Sequence, residues 1–306
     1  MPSLQARLLR PLLDLRRALF RWDAPVDRYR ALMRHQEKYF KPPRDVQIEP
    51  ALAGHVPAEW LTPPGASDCP VILYLHGGAW TFGWTNIHRR MVAHLAKAAR
   101  CRVLAVDYRL APEHPFPAAL EDCLAAYRWL RANGISPGEI AIAGDSAGGN
   151  LTLTTQLCLR DAGEPLPAAA VCLSPATDLE GTGASFWTSK DPVITPEFVV
   201  RMRKLYIGDH DARSPLISPH HGDIRGLPPL LIQAGGDEML LSDSERLAEK
   251  AGASGVDVTL AVWPKMWHVW HLFVPTLPES REAVESAARF IAGRLRTPLA
   301  PERTTI

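Results

Sequence analysis

Short, wholly apolar runs alternate with longer segments of helical periodicity over most of the chain. The apolar runs have the length of strands. Strands that are apolar on both faces and separated by helices predict a mostly parallel sheet covered by helices. The predicted strands of this part are residues 71–75, 103–106, 139–143, 168–173, 230–234 and 256–263, and the predicted helices are residues 86–99, 118–132, 242–251 and 279–296, with one more after residue 146.

Before these units the pattern predicts two helices, residues 4–21 and 26–39, and a strand hairpin formed by residues 46–49 and 55–61. The first helix carries leucines at the spacing of one helical face, namely Leu4, Leu8, Leu12, Leu15 and Leu19. We expect this helix to pack its leucine stripe on the domain. Its arginines leave an amphipathic targeting helix as the alternative, but it lacks the continuous apolar core of a signal peptide.

The alternation of strands and helices fails between residues 174 and 226, where one helical piece at residues 196–206 stands among prolines, glycines and aromatics. A structureless stretch of this length is uncommon inside a domain, so we interpret it as an inserted cap. The predicted organisation is N-terminal helices that contribute to the cap at residues 1–45, a main α/β domain at residues 46–175 and 227–306, and a cap insertion at residues 176–226.

Composition narrows the class of protein. The 306 residues suit one large α/β domain with a decorating subdomain, or two ordinary domains. A net charge of +1 gives no reason to expect nucleic acid or an anionic membrane as partner, and no apolar run is long enough for a stable membrane anchor. Five cysteines, odd in number and without CxxC spacing, predict free thiols and a cytoplasmic location. The sequence leaves open whether the protein forms a homodimer.

One turn carries the chemistry. Residues 140–143 form an apolar strand, and Ser146 follows in a turn between Gly144 and Gly148 that opens a helix. Gly-x-Ser-x-Gly between a strand and a helix is typical of a nucleophile elbow, in which a strained turn exposes the serine Oγ. A serine hydroxyl needs a base, and the base needs an acid to orient it.

The acid and the base should follow the serine in that order, each just after a strand of the sheet. Asp237 follows the strand at residues 230–234 and is the predicted acid, with Glu238 as a weaker rival; Asp243 resembles a helix-start residue. His268 follows the strand at residues 256–263 and is the predicted base, with His271 as its rival. Apolar neighbours should keep the His268 imidazole neutral.

A glycine-rich loop follows the strand at residues 71–75, and backbone amides next to bare glycines can approach a substrate oxygen closely. The predicted oxyanion donors are the amides of Gly77, Gly78 and Ala147. His76 is expected to fix this loop. No metal or organic cofactor is implied by any of these residues, since the adjacent pair His220 and His221 has no carboxylate or cysteine in sequence to complete a ligand set.

Three segments combine into a specific pattern: residues 76–80 (His-Gly-Gly-Ala-Trp), 107–118 (Asp-Tyr-Arg-Leu-Ala-Pro-Glu-His-Pro-Phe-Pro-Ala) and 144–150 (Gly-Asp-Ser-Ala-Gly-Gly-Asn). Together they resemble the hormone-sensitive-lipase-like carboxylesterases, bacterial family IV of the α/β-hydrolase superfamily. The resemblance covers about residues 46–296 and implies the α/β-hydrolase fold, an eight-stranded mostly parallel sheet with a helical cap, and a triad of Ser146, Asp237 and His268.

The chain departs from the family pattern in two places. Ala79 stands where many members have a third glycine, and Asp-Glu-Met-Leu at residues 237–240 replaces the commoner Asp-Pro-Leu. The second version is more similar to the branch of lactone hydrolases and acetyl hydrolases.

Aromatic side chains in or beside the predicted site loops suggest an apolar pocket. The predicted lining residues are Trp80, Phe82, Trp84, Phe186, Trp187 and Trp267. We expect a serine esterase acting on a small or medium apolar ester with a short acyl chain. A cyclic ester (lactone) is the alternative substrate. A receptor that keeps the fold without chemistry, or an amidase or peptidase on the same fold, are rival functions.

Overall fold

The structure, a computed structural model, describes residues 2–19, 23–67 and 69–295. The predicted ends of the first and last helices, Arg21 and Arg296, and the remainder of the predicted main domain at residues 297–306 lie outside the described residues.

Eight strands form one sheet in the order β1-β2-β4-β3-β5-β6-β7-β8. From β3 onward all neighbours are parallel, whereas β1 and β2 form an antiparallel hairpin and β2 runs antiparallel to β4. The strands are β1 (Gln47–Ala53), β2 (Val56–Thr62), β3 (Val71–Leu75), β4 (Arg102–Val106), β5 (Ile140–Asp145), β6 (Ala169–Leu173), β7 (Leu230–Gly235) and β8 (Val258–Trp263). The eight-stranded, mostly parallel sheet is therefore as predicted.

Helices cover both faces of this sheet. The helices are α1 (Leu4–Leu19), α2 (Val26–Gln36), α3 (Asn86–Ala99), α4 (Ala118–Ala132), α5 (Ala147–Asp161), α6 (Ala184–Thr188), α7 (Pro196–Ile207), α8 (Leu241–Ala253) and α9 (Pro278–Ala292). Apolar residues of α3 and α9 pack with one set of alternate strand residues, and those of α4, α5 and α8 with the other set. The strands are apolar on both faces because each face meets helices.

Strand β1 is longer than the predicted strand at residues 46–49, because it continues through Pro50 to Ala53. Proline interrupts a central strand because it has no amide N–H to donate to a neighbouring strand. Strand β1 lies at the edge of the sheet and has a neighbour on one side only, so a proline is tolerated there.

The segment between β6 and β7 contains α6, α7 and a 3-10 turn at Pro219–His221. Side chains of α7, among them Phe198 and Met202, pack with Tyr29 of α2 and with Phe82, which follows β3. The second helix of the N-terminal part thus contacts this segment. Among the described residues, no helix combines the length and apolarity needed to cross a bilayer.

The prediction that α1 buries its leucine stripe is wrong. Leu4, Leu8, Leu12, Leu15 and Leu19 are each 57–74% exposed. A different face of the helix, with Ala6, Leu9 and Leu13, packs on the domain. The helix has two apolar faces, and the narrower one fits the surface that it meets.

Candidate active site

Ser146 stands between β5 and α5 in a strained turn. Its backbone has φ 53° and ψ −115°, a conformation that side chains other than glycine rarely adopt. Its amide donates to the Leu173 carbonyl at 2.8 Å, which ties the turn to β6. A Cβ on Gly144 would overlap the carbonyl of Gly148, and one on Gly148 would overlap that of Leu75. The two glycines therefore let the turn fold against β3 and present the serine.

His268 follows β8 and meets the serine. Its Nε2 lies 2.9 Å from Ser146 Oγ, and its side chain is almost fully buried. Burial lowers the pKa of His268 to about 3, so that the imidazole is neutral at pH 7. In the tautomer with its proton on Nδ1, Nε2 can accept the serine proton. The structure thus brings the predicted nucleophile and the predicted base together.

Asp237 follows β7 as predicted but contacts other groups than His268. One carboxylate oxygen lies 3.1 Å from Arg10 Nη1 and the other 3.6 Å from Lys265 Nζ, and the side chain is 28% exposed. In the described part of the chain, His268 Nδ1 has no hydrogen-bond partner. The structure therefore does not join Asp237 to the base, and it holds this carboxylate between two surface cations.

Glu238, the rival acid, is fully buried. Its Oε2 accepts hydrogen bonds from Ser174 Oγ at 2.6 Å and from the Gly235 amide at 2.9 Å. Ser174 Oγ in turn accepts from the amide of Val269, the residue after His268. The other oxygen, Oε1, has no partner among the described residues, and burial raises the pKa of this carboxyl well above its usual value. Glu238 Oε1 and His268 Nδ1 are thus two buried, unpartnered atoms on neighbouring loops.

The remaining rivals have structural contacts. Asp243 lies in the first turn of α8, where it accepts from the Thr177 and Asp178 amides at 2.8 and 2.9 Å. The Nε2 of His271 lies 2.9 Å from Gln233 Oε1 in the core beside Trp270. The hydrogen bonds of both residues hold other parts of the fold, which agrees with the preference for Asp237 and His268 in the sequence analysis.

A buried carboxylate that sequence reasoning missed connects the acid loop with the base. Asp191, between α6 and α7, is 1% exposed. Its Oδ2 accepts from the amides of Met239 at 3.1 Å and His268 at 3.0 Å. Its Oδ1 accepts from the amides of Val193 at 2.8 Å and Ile194 at 3.3 Å. No local pattern marks this aspartate, because two of its partners lie far away in the chain.

The predicted oxyanion donors need one correction. The Gly77 amide is already used, since it donates to Asp145 Oδ1 at 3.0 Å. By contrast, the amides of Gly78 and Ala79 have no acceptor within the described residues. Both residues have left-handed backbones, with φ 117° and 51°, and Ala147 begins α5 directly after the serine. The amides available to an oxyanion are therefore those of Gly78, Ala79 and Ala147.

Asp145 is a second residue whose role sequence reasoning missed. Its carboxylate is buried and accepts from Tyr74 Oη at 2.6 Å as well as from Gly77. It thereby joins the end of β5 to β3 and to the loop after it. His76 stacks on Tyr108 at 4.2 Å between ring centroids, and its Nδ1 lies 2.7 Å from the Gly77 carbonyl oxygen. The glycine loop is thus fixed from both sides.

Most of the predicted pocket aromatics are core residues in this structure. Trp80, Phe82, Trp84, Phe186 and Trp267 are at most 8% exposed, whereas Trp187 is 62% exposed. Trp80 stacks on Tyr206 at 4.3 Å, and Trp84 donates its Nε1–H to Glu59. Placement next to a site loop did not distinguish lining residues from packing residues.

The described residues contain one group of potential metal ligands, formed by Asp178, Glu180 and His221. Arg246 Nη2 lies 2.7 Å from the Asp178 carboxylate, and Glu180 Oε2 lies 2.8 Å from His221 Nε2. Arg246 compensates the charge of Asp178, and Glu180 already has a partner in His221, so these acidic side chains belong to a network of side-chain contacts.

A nucleophile elbow on an eight-stranded sheet, with a buried histidine at the serine, defines an α/β hydrolase. The sequence profile of a family described as alpha/beta hydrolase fold matches residues 72–272. An acetyl-hydrolase of Streptomyces hygroscopicus is 47% identical over 82% of this chain and 83% of its own length.

Solved structures agree. An esterase from the bacterial hormone-sensitive lipase family superimposes with a TM-score of 0.92 at 45% identity, over 97% of this chain and 100% of that one. The structure of EstE5 from a crystal soaked with p-nitrophenyl butyrate superimposes with a TM-score of 0.89 at 41% identity. The match covers 95% of this chain and 99% of that one. The chain belongs to the hormone-sensitive-lipase-like carboxylesterases of the α/β-hydrolase superfamily, and it is an esterase.

Proposed function

We propose that this esterase hydrolyses small to medium apolar esters with short acyl chains through an acyl-enzyme on Ser146. One observation carries the proposal: Ser146 Oγ lies 2.9 Å from the Nε2 of the buried His268, at the tip of a strained turn. A neutral imidazole at hydrogen-bond distance is what a general base for a serine hydroxyl requires.

The reaction runs in two halves. His268 takes the proton from Ser146 Oγ as this oxygen attacks the ester carbonyl carbon, and the carbonyl oxygen becomes an anion. The amides of Gly78, Ala79 and Ala147 donate to that anion, and one such donor contributes about 3 kcal/mol to the transition state. The C–O bond to the alcohol breaks, and His268 gives the alcohol its proton. Water then attacks the acyl group, with His268 again as base, and Ser146 is restored.

We propose Glu238, rather than Asp237, as the acid that orients His268. An orienting carboxylate has to be buried next to the imidazole, because exposure to water and to other cations weakens its hold. Glu238 is fully buried with one oxygen unpartnered, whereas Asp237 is paired with Arg10 and Lys265. Ser174 links the Glu238 side chain to the residue after His268, and a hydrogen bond between Glu238 Oε1 and His268 Nδ1 would give both buried atoms a partner.

We also propose that α1, α2 and the insertion at residues 176–226 form the cap over the site. The packing of α2 and α7 around Phe82, just after the oxyanion loop, supports this arrangement. The apolar character of that cluster supports an apolar ester as substrate. The five cysteines are free thiols, which supports a reducing cytoplasm as the location.

The test pairs turnover with covalent labelling. p-Nitrophenyl esters of increasing acyl length, and a panel of lactones, are given to the wild type and to Ser146→Ala, and a fluorophosphonate adduct is sought by intact mass. We expect turnover that peaks at short acyl chains and an adduct on the wild type alone, with kcat lower by about 10⁴ or more in the variant. A folded wild type with neither turnover nor adduct would make the protein a receptor.

A matched pair of variants tests the acid. Glu238→Gln removes the buried carboxyl group and Asp237→Asn the partly exposed one, with little change in volume. We expect Glu238→Gln to lower kcat by at least about 10²-fold and Asp237→Asn by less than about tenfold. The reverse ranking would make Asp237 the acid.

A further inference from the structure

Helix α1 shows a continuous apolar surface to solvent. We call the five side chains Leu4, Leu8, Leu12, Leu15 and Leu19 the leucine face. At about 100° per residue they fall within an arc of about 80° along the whole helix. Contiguous exposed apolar patches on a protein mark sites of interaction, whereas single exposed leucines need no explanation.

The helix is held so that the leucine face stays outward. Leu9 and Leu13 belong to the same hydrophobic cluster as Trp267 and Trp270, which lie on either side of His268 in the chain. At the N-terminal end the Ser3 amide donates to Glu279 at 2.6 Å. The leucine face is thus preorganised on the body of the protein, and burying it needs no ordering of the helix.

Further contacts fix the middle of the helix to the proposed cap. Arg10 Nη2 donates to the Lys190 carbonyl at 2.6 Å, and its Nη1 donates to Asp237. Lys190 comes three residues after Trp187, a residue of α6 that is 62% exposed. An exposed tryptophan close to a cationic, leucine-rich helix is the composition of proteins that rest at the boundary of lipid and water.

Positive charge is concentrated on this helix. The whole chain has a net charge of +1, yet α1 carries four arginines against one aspartate, Asp14. Arg10 is paired with Asp237, whereas Arg7 and Arg16 lie on the two sides of the leucine face at about 100° per residue. Lys265, near the same edge, is 67% exposed. An anionic surface complements this charge, whereas a second copy of α1 would set like charges against one another. The charge therefore favours lipid over a second chain as the occupant.

We propose that α1 docks the protein reversibly on anionic phospholipid surfaces, with the leucine face in the acyl boundary and the flanking Arg7 and Arg16 at the headgroups. This docking is independent of the hydrolysis proposed above. The consequence of docking for catalysis does rest on the proposed function. Because α1 packs on the loop of His268, docking would place the active site beside a lipid layer in which apolar esters concentrate.

Flotation with vesicles tests the docking. Vesicles of phosphatidylcholine alone, and of phosphatidylcholine with an equal part of phosphatidylglycerol, are mixed with the full chain at low and at high salt. We expect the wild type to float with the anionic vesicles only, and less so at high salt. The triple variant Leu8→Gln, Leu12→Gln and Leu15→Gln should bind at least about tenfold more weakly.

Leu52→Gln is the matched control, since Leu52 is 63% exposed on the edge strand β1 and should leave flotation unchanged. Thermal unfolding and turnover of a water-soluble ester should be the same in all variants, which shows that they are folded. Two results overturn the proposal: a wild type that does not float with anionic vesicles, or a wild type that is a dimer in solution and becomes monomeric in the triple variant. Flotation requires no hydrolysis, so a failure of the docking proposal can be distinguished from a failure of the proposed function.

Discussion

The buried carboxylate of Asp191 can be removed to separate catalysis from stability. It accepts four backbone hydrogen bonds, two from its own turn and two from the loops of Met239 and His268. In Asp191→Asn one oxygen remains. That oxygen should stay with the amides of Val193 and Ile194, because a side-chain contact to the following residues is already in place locally. The His268 amide then loses its acceptor.

The two effects on stability oppose one another. Burial raises the pKa of Asp191 to about 6, above the value near 3.9 of an unfolded aspartate, so the ionised form at pH 7 is disfavoured in the folded protein by about 3 kcal/mol. Asparagine removes this penalty. It also turns an N–H toward two amides, and unsatisfied buried donors cost about 1–3 kcal/mol. We therefore expect a change of less than about 2 kcal/mol in the free energy of unfolding at pH 7.

The sign of the pH dependence follows from the same shift. A folded pKa above the unfolded one gives wild-type stability that is fully present below about pH 4 and is lost as the pH rises through about 6. Asp191→Asn cannot titrate and lacks this step. Denaturant unfolding between pH 4 and 8 should therefore show the variant improving relative to the wild type as the pH rises.

Catalysis should respond differently. A ring displaced by a fraction of an ångström is a poorer base, and we expect kcat to fall by about 10–100-fold while KM stays within about threefold. Asp209→Asn, at an exposed position of the same segment, is the control. A wild-type kcat in Asp191→Asn would refute the claim that Asp191 positions His268. An unchanged stability profile against pH would refute the assignment of the titration.

Four further substitutions test the packing around the site and of α1. Gly148→Ala should destabilise the fold by more than about 2 kcal/mol, because its Cβ would overlap a backbone carbonyl of β3, and a melting temperature like that of the wild type would contradict this. Asp145→Asn should lower kcat more than it raises KM, since the carboxylate holds the Gly77 amide; equal effects on both constants would point to substrate binding instead. Leu13→Ala should lower the free energy of unfolding by about 2 kcal/mol and Leu12→Ala by less than about 0.5, and equal losses would mean that α1 is turned differently.

Much of the fold and the core of the site follow from local sequence. Each parallel strand is apolar on both faces, which is enough to predict a covered parallel sheet, and the elbow needs its two glycines within four residues of chain. Ser146 and His268 could be placed because both follow strands whose carboxyl ends share one edge.

The acid could not be chosen in the same way. Asp237 and Glu238 are adjacent, so every argument from strand position applies to both, and burial against Ser174 distinguishes them only in the folded chain. The sequence likewise could not show that the Gly77 amide donates to Asp145, which is 68 residues away in the chain. Hydrogen bonds of this range leave no periodicity or motif in the sequence.

The N-terminal helix shows the same division between what local sequence and what tertiary structure determine. By itself the sequence predicted a helix at residues 4–21 with leucines at the spacing of one face. Only the tertiary structure decided which face is buried, because the choice depends on the shape of the surface formed by Trp267 and Trp270. Local composition fixes where apolar area lies on an element, but the free energy of burying it depends on a complementary partner from elsewhere in the chain.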